Sequence, residues 1–134
     1  MKSGIKPIRR ALLSVTDKTN LKDLGKFLEG LGVELVSTGG TARYLKKVGL
    51  KVKEVSDLTG FPEILNGRVK TLHPKVHAPI LFDRDDTGSI KELKEMGSKA
   101  IDLVVINLYP FETILKNRAP RKDIIDNIDI GGVA

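Results

Sequence analysis

Apolar residues in this chain come in short runs that alternate with stretches of helical period. Arg10–Val15 (RALLSV) is such a run, closed by the polar TDKTN, and predicts a first buried strand. A helix is expected next: Leu21, Leu24, Leu28 and Leu31 share one face, with Asn20 as N-cap, Asp23 at N3 and Gly32 to end it in the left-handed region. Val33–Val36 (VELV) predicts a second strand, with STGGT directly behind it. Thr41 is then in position to cap a helix whose inner face carries Ala42, Leu45 and Val48, closed by Gly49. Leu50–Val55 alternates apolar and polar residues, as a half-exposed strand does. From Ser56 to Val76 the chain is punctuated by Gly and Pro without a sustained period; so long a loop in a compact domain tends to be functional. Ala78–Phe82 predicts a short strand, and Thr87–Met96 a helix with Ile90, Leu93 and Met96 inward, stopped by Gly97. Ile101–Leu108 (IDLVVINL), β-branched and nearly uncharged, is the segment expected at the centre of a sheet; Pro120 opens a last short helix.

Strands alternating with helices of about ten residues predict an α/β fold, a mainly parallel sheet with helices on both faces. There is no internal repeat or linker, so one domain is expected over residues 1–134. In such sheets ligands bind beyond the carboxyl ends of the strands. TDK, STGGT, the long loop and the N-x-Y of Asn107 and Tyr109 leave the expected strands there, and can converge on one pocket.

Composition narrows the partners. Of 134 residues, 40% are hydrophobic and 30% charged, as in globular proteins. No apolar run approaches the ~20 residues of a membrane helix, and MKSGIKPIRR lacks the apolar segment of a signal peptide. Cysteine is absent, which excludes disulfides and agrees with a cytoplasmic location. The net charge of +6 suits an anionic partner. The cations are dispersed and aromatics are only 4%, so phosphorylated small molecules are expected rather than nucleic acid or membrane.

Thr38-Gly39-Gly40-Thr41 joins a strand to a helix. Its glycines let the backbone approach a ligand, its helix start offers N–H groups, and its hydroxyls add donors: a phosphate cradle, or a tight turn with Thr41 as cap. Lys18 is either a second phosphate contact or a solvated lysine. In Asn66–Pro74 (NGRVKTLHP), Arg68 and Lys70 face one side of an extended segment. Arg supplies a planar fork and Lys a compact charge or proton donor; the alternative is an exposed basic loop. His73 and His77 have helical spacing, but Pro74 is expected to disfavour the helix and no third ligand is evident, so no metal is expected. Asn107 and Tyr109 can orient an amide or simply cap the strand end. Asp129, before Ile130-Gly131-Gly132, can serve as a base or as an ion-pair partner of Lys70.

SVTDKTNL, STGGTA, LTGFPEILNGRVKTLHPKVHA, NLYPF and IDIGGVA, in this order and spacing, resemble the N-terminal inosine monophosphate cyclohydrolase domain of bifunctional purine biosynthesis proteins, from about Arg10 to Ala134. The resemblance implies a methylglyoxal-synthase-like three-layer fold. It implies closure of 5-formamidoimidazole-4-carboxamide ribotide to inosine monophosphate and water, the last step of purine biosynthesis, without cofactor in this domain, by a homodimer in the full-length protein. It places Thr16, Asp17 and Lys18 in the nucleotide site, Thr38, Gly39, Gly40 and Thr41 on the phosphate, and Arg68, Val69, Lys70 and Thr71 around the imidazole carboxamide. Ile106, Asn107, Asp129 and Ile130 complete the contacts, and Lys70, Tyr109 and Asp129 are the implied catalytic residues. The family pattern continues after GGVA with a helix bearing a further lysine and with a folate-dependent formyltransferase domain. The chain stops at Ala134, so a C-terminally truncated domain that binds nucleotide with little turnover is expected. Pro79 replaces the Gly expected in HAGIL. Methylglyoxal synthase and a nucleotide-binding regulatory module share the implied fold and are the alternatives.

Overall fold

The computed structural model describes residues 4–107 and 111–126. In chain order these form β1 (Arg10–Ser14), α1 (Leu21–Gly30), β2 (Glu34–Ser37), α2 (Gly39–Lys47), β3 (Val52–Glu54), α3 (Val55–Thr59), α4 (Pro74–Leu81), α5 (Thr87–Glu95), β4 (Leu103–Ile106), α6 (Phe111–Lys116) and α7 (Arg121–Asp126). The four strands pair in parallel in the order β3-β2-β1-β4.

Side-chain alternation along the strands sets the layering. Ala11, Leu13 and Leu35 point to one side, where Leu21 and Leu28 of α1 and Leu45 of α2 close a core over them. Leu12 and Val36 point to the other, against Val55 of α3, Val76 of α4 and Ile101. Helices therefore cover both faces, the three-layer α/β arrangement that the element order predicts. Leu12, Leu13 and Val36 are fully buried, each contributing about 1.5–3 kcal/mol relative to exposure.

Local differences from the sequence reading have physical causes. Ala78–Phe82 is not a strand: its first four residues end α4. Pro74, expected to oppose a helix, starts it at the first position, where the missing N–H costs nothing, and His73 is the N-cap. The His73 ring accepts a hydrogen bond from Lys75 N at 3.0 Å, so it caps the helix instead of pairing with His77 on a helix face. Ile101–Leu108 was expected to be central, but β4 lies at an edge of the described sheet, and Val104 is 37% exposed. β1 and β2 hold the centre. The start of the long loop is the helix α3, held by a reciprocal capping box of Glu54 and Asp57 and ended by Gly60. Thr38, not Thr41, is the N-cap of α2. Asn20 does stand at the N-cap of α1, but left-handed and without a side-chain bond, and Leu31 is exposed rather than inward.

Candidate functional site

β1 lies between β2 and β4, and a crevice opens at the carboxyl end of these strands, where ligands of such sheets bind. The register aligns the ends: Leu13 is level with Ser37, and Ser14 with Ile106. The resulting cavity, about 200 Å³, is lined by Ser14, Val15, Thr16, Lys18, Thr38, Gly40, Thr41, Lys70, Ile106 and Asn107.

Its walls are tied by side-chain bonds to backbone. Asn107 spans the crevice: its Oδ1 accepts from Thr16 N at 2.7 Å and its Nδ2 donates to Asp17 O at 3.0 Å. This stitches the end of β4 to the segment after β1. Thr41 locks α2 to β1, its hydroxyl accepting from Val15 N at 3.0 Å and donating to Val15 O at 2.9 Å. The Thr38 hydroxyl is engaged sideways with Ser14 Oγ at 3.0 Å, so it does not cap its own helix. The start of α2 thus carries no side-chain cap, and its N–H groups and positive dipole end face the crevice.

Cations surround that helix end. Lys18 Nζ donates to Val15 O at 3.2 Å and Thr16 O at 3.3 Å, which holds the ammonium at the crevice. A methyl group on Gly40 would lie 3.7 Å from Arg43 Nη2 and 4.0 Å from Lys18 Nζ. One on Gly39 would lie 3.1 Å from Lys70 Nζ and 3.4 Å from Glu63 Oε1. With φ at +43°, Gly39 has both the conformation and the clearance that only glycine supplies. Three positive side chains and a helix dipole give this small polar crevice a field that attracts anions.

Asp17 does not line the cavity. Its Oδ1 accepts from Thr19 Oγ1 at 2.6 Å and Thr19 N at 2.9 Å, and these bonds hold its carboxyl below the usual carboxylate range.

Of the residues proposed from sequence, Thr16, Lys18, Thr38, Gly40, Thr41, Lys70, Ile106 and Asn107 line one cavity, and Gly39 abuts Lys70. Asp17, Arg68, Val69 and Thr71 do not line it; Thr71 is buried and Arg68 exposed. Tyr109, Asp129 and Ile130 lie outside the described residues. Sequence reasoning missed Arg43 and Glu63. Arg43 sits one turn along α2 from Gly40, so the helical period held a signal for it; Glu63 reaches the site only through the folding of the long loop. Among the described residues no cluster of acidic and histidine side chains could hold a metal ion.

Fold and site together define a parallel α/β domain with a cationic crevice at its strand ends. The chain belongs to the MGS-like domain family, which matches residues 20–134. It is 56% identical over 132 residues to the bifunctional purine biosynthesis protein PurH of Roseobacter denitrificans, covering 98% of this chain and 25% of that protein. The PurH of Elusimicrobium minutum is 59% identical over 127 residues, covering 93% and 25% respectively. This chain thus spans about a quarter of the length of the curated relatives it matches. Among solved structures, the crystal structure of ForH superposes with a TM-score of 0.69 at 40% identity, over 75% of this chain and 51% of that one. Among the described residues no helix is long and apolar enough to cross a membrane.

Proposed function

We propose that the chain is an inosine monophosphate cyclohydrolase domain, closing the pyrimidine ring of 5-formamidoimidazole-4-carboxamide ribotide with loss of water. The observation that carries this reading is the meeting of Lys18, the uncapped start of α2, Lys70 and Asn107 in one crevice. The relatives' name, bifunctional purine biosynthesis protein, supplies the chemistry that such a crevice would serve.

The 5′-phosphate is assigned to the N–H groups of α2 and to Lys18, with Arg43 beside them. The heterocycle then extends toward Lys70 and the end of β4. The carboxamide nitrogen attacks the formyl carbon and gives up one proton, and the formyl oxygen becomes the hydroxyl of a carbinolamine. That hydroxyl leaves as water together with the proton of the former formamide nitrogen, and the ring is aromatic. Both partners belong to one molecule, so holding them in an attack geometry supplies much of the rate. Lys70 is the proton donor to the departing oxygen, Asp129 the base toward the weakly acidic amide, and Tyr109 a donor at the formyl group. The carbon is already on the substrate, so this step takes no cofactor. A homodimer in the cytoplasm, without nucleic acid or membrane as partner, completes the reading.

Calorimetric titration with inosine monophosphate, paired with a spectrophotometric cyclisation assay, tests it. Saturable binding that weakens as salt rises, and is about tenfold weaker in Lys18→Ala, is expected. Absence of nucleotide binding, or release of inorganic phosphate from dihydroxyacetone phosphate, would overturn the reading in favour of another member of the fold.

A further inference from the structure

A second cavity opens at the amino end of the strands, where β1 and β4 begin, and no residue lines both it and the crevice. It measures about 710 Å³, within the roughly 300–1,000 Å³ of small-molecule sites. Phe82, Ile90 and Leu93 give it an apolar side, and Arg9, Lys94 and Lys99 a cationic one. Other charges along it are matched: the buried Arg10 donates from Nε to Glu34 Oε2 at 2.8 Å, and Arg84 pairs with Asp102. Among the described residues, Arg9, Lys94 and Lys99 have no carboxylate partner, so the field in the cavity is positive. The walls are set before any ligand arrives. The Asp102 carboxylate accepts from Arg9 N and Arg10 N and holds Arg84, which also donates to Ile101 O. A smaller cavity of about 180 Å³ shares Arg10, Ser98 and Lys99 with the larger one and adds Lys53 and Lys75 against Asp57, so positive charge gathers around Lys99.

We propose that this cavity is a second ligand site, which takes a small organic anion with an apolar body. The body lies against Phe82, Ile90 and Leu93, and the anionic group turns toward Lys94 and Lys99. An inorganic anion would leave the apolar side wet, and a neutral apolar molecule would leave the unpaired ammonium groups unused; a molecule with both features satisfies both. The site goes beyond the functional reading above and does not depend on it, because the ring-closing residues assigned there all lie outside this cavity.

Naphthalene-1-sulfonate, with naphthalene-1-methanol as its neutral counterpart, tests this by titration into the nitrogen-15-labelled protein. The sulfonate is expected to shift the amides of Phe82, Ile90, Leu93 and Lys99 saturably, with an affinity that falls as salt rises. The neutral compound is expected to bind about tenfold more weakly, and the sulfonate to lose about tenfold in a variant carrying both Lys94→Glu and Lys99→Glu. Both lysines are exposed, so the circular dichroism melt of that variant should match the parent's. If it does not, the neutral compound and the salt dependence decide the matter on the parent alone. No shifts at these amides, shifts centred on Lys18 and Gly40 instead, equal affinity for the two compounds, or full affinity in a variant that melts like the parent would overturn the proposal. A protein that binds the sulfonate here but no inosine monophosphate would sink the functional reading and leave this site standing.

Discussion

Asp102 sits at the opposite end of the sheet from the crevice and holds three partners at once. Its Oδ2 accepts from Arg9 N at 2.8 Å and Arg10 N at 3.1 Å, and its Oδ1 pairs with Arg84 Nη1 at 2.6 Å. Arg84 in turn donates to Ile101 O at 2.7 Å and stacks over the Phe82 ring at 4.8 Å. One carboxylate thereby ties the entry of β1, the entry of β4 and the connection between α4 and α5. Its side chain is 13% exposed, so these bonds act away from most of the solvent screening. Removing it in Asp102→Ala strands two backbone donors and one guanidinium. Charge-assisted bonds contribute about 1.5–3 kcal/mol each at best; because Arg84 is 31% exposed and the N–H groups can recruit water, a total near 3 kcal/mol is expected. With a urea dependence of about 2 kcal/mol per molar, the unfolding midpoint falls by about 1.5 M.

The pH dependence follows from the same contacts. Burial raises the Asp102 pKa, but the Arg9 N–H, Arg84 and the Arg10 N–H together outweigh it and hold the carboxyl below its ordinary value. A depressed native pKa means that this stabilisation is complete above the unfolded-state value of about 3.9 and is lost as pH falls through the lower native value. The stability gap between the parent and Asp102→Asn, measured by urea unfolding, should therefore be wide at pH 7 and narrow toward pH 2. A gap that is absent at neutral pH, or constant across that range, refutes the reasoning. Nucleotide affinity should be unchanged in either variant, because Asp102 is not part of the crevice.

Thr41→Val keeps the shape of the side chain but removes both bonds to Val15, leaving its buried N–H unpaired and its C=O with the Lys18 ammonium alone. A loss of about 1–3 kcal/mol in urea unfolding and weaker phosphate binding are expected together. Leu12→Ala, at a fully buried position of the central strand β1, should cost about 2–5 kcal/mol, measured the same way, with the spread set by how far α3 and α4 can settle into the gap. Lys18→Ala should leave the melting temperature nearly unchanged while flattening the salt dependence of inosine monophosphate binding, since one cation at the anion site is gone.

Much of the architecture followed from local pattern. The apolar runs at β1 and β2 and the leucine period of α1 are short-range signals, and the Thr38–Thr41 stretch marks a strand-to-helix junction wherever it occurs. That junction and the strand-end polar residues were enough to nominate most of the cavity lining. Ala78–Phe82 reads as a strand because a run of that length satisfies strand and buried helix alike; Pro74 and the His73 cap decide for the helix, through the positions they occupy in it. The nearly uncharged run around β4 reads as a sheet centre because burial on two faces and partial cover at an edge select the same β-branched residues. Composition and periodicity reach only neighbours within a few residues. Placing Glu63 and Lys70 against Gly39, or closing Asn107 onto Thr16 across 91 residues, depends on strand order and on the path of a loop without a period. Those are properties of how the layers stack, and no stretch of the chain carries them alone.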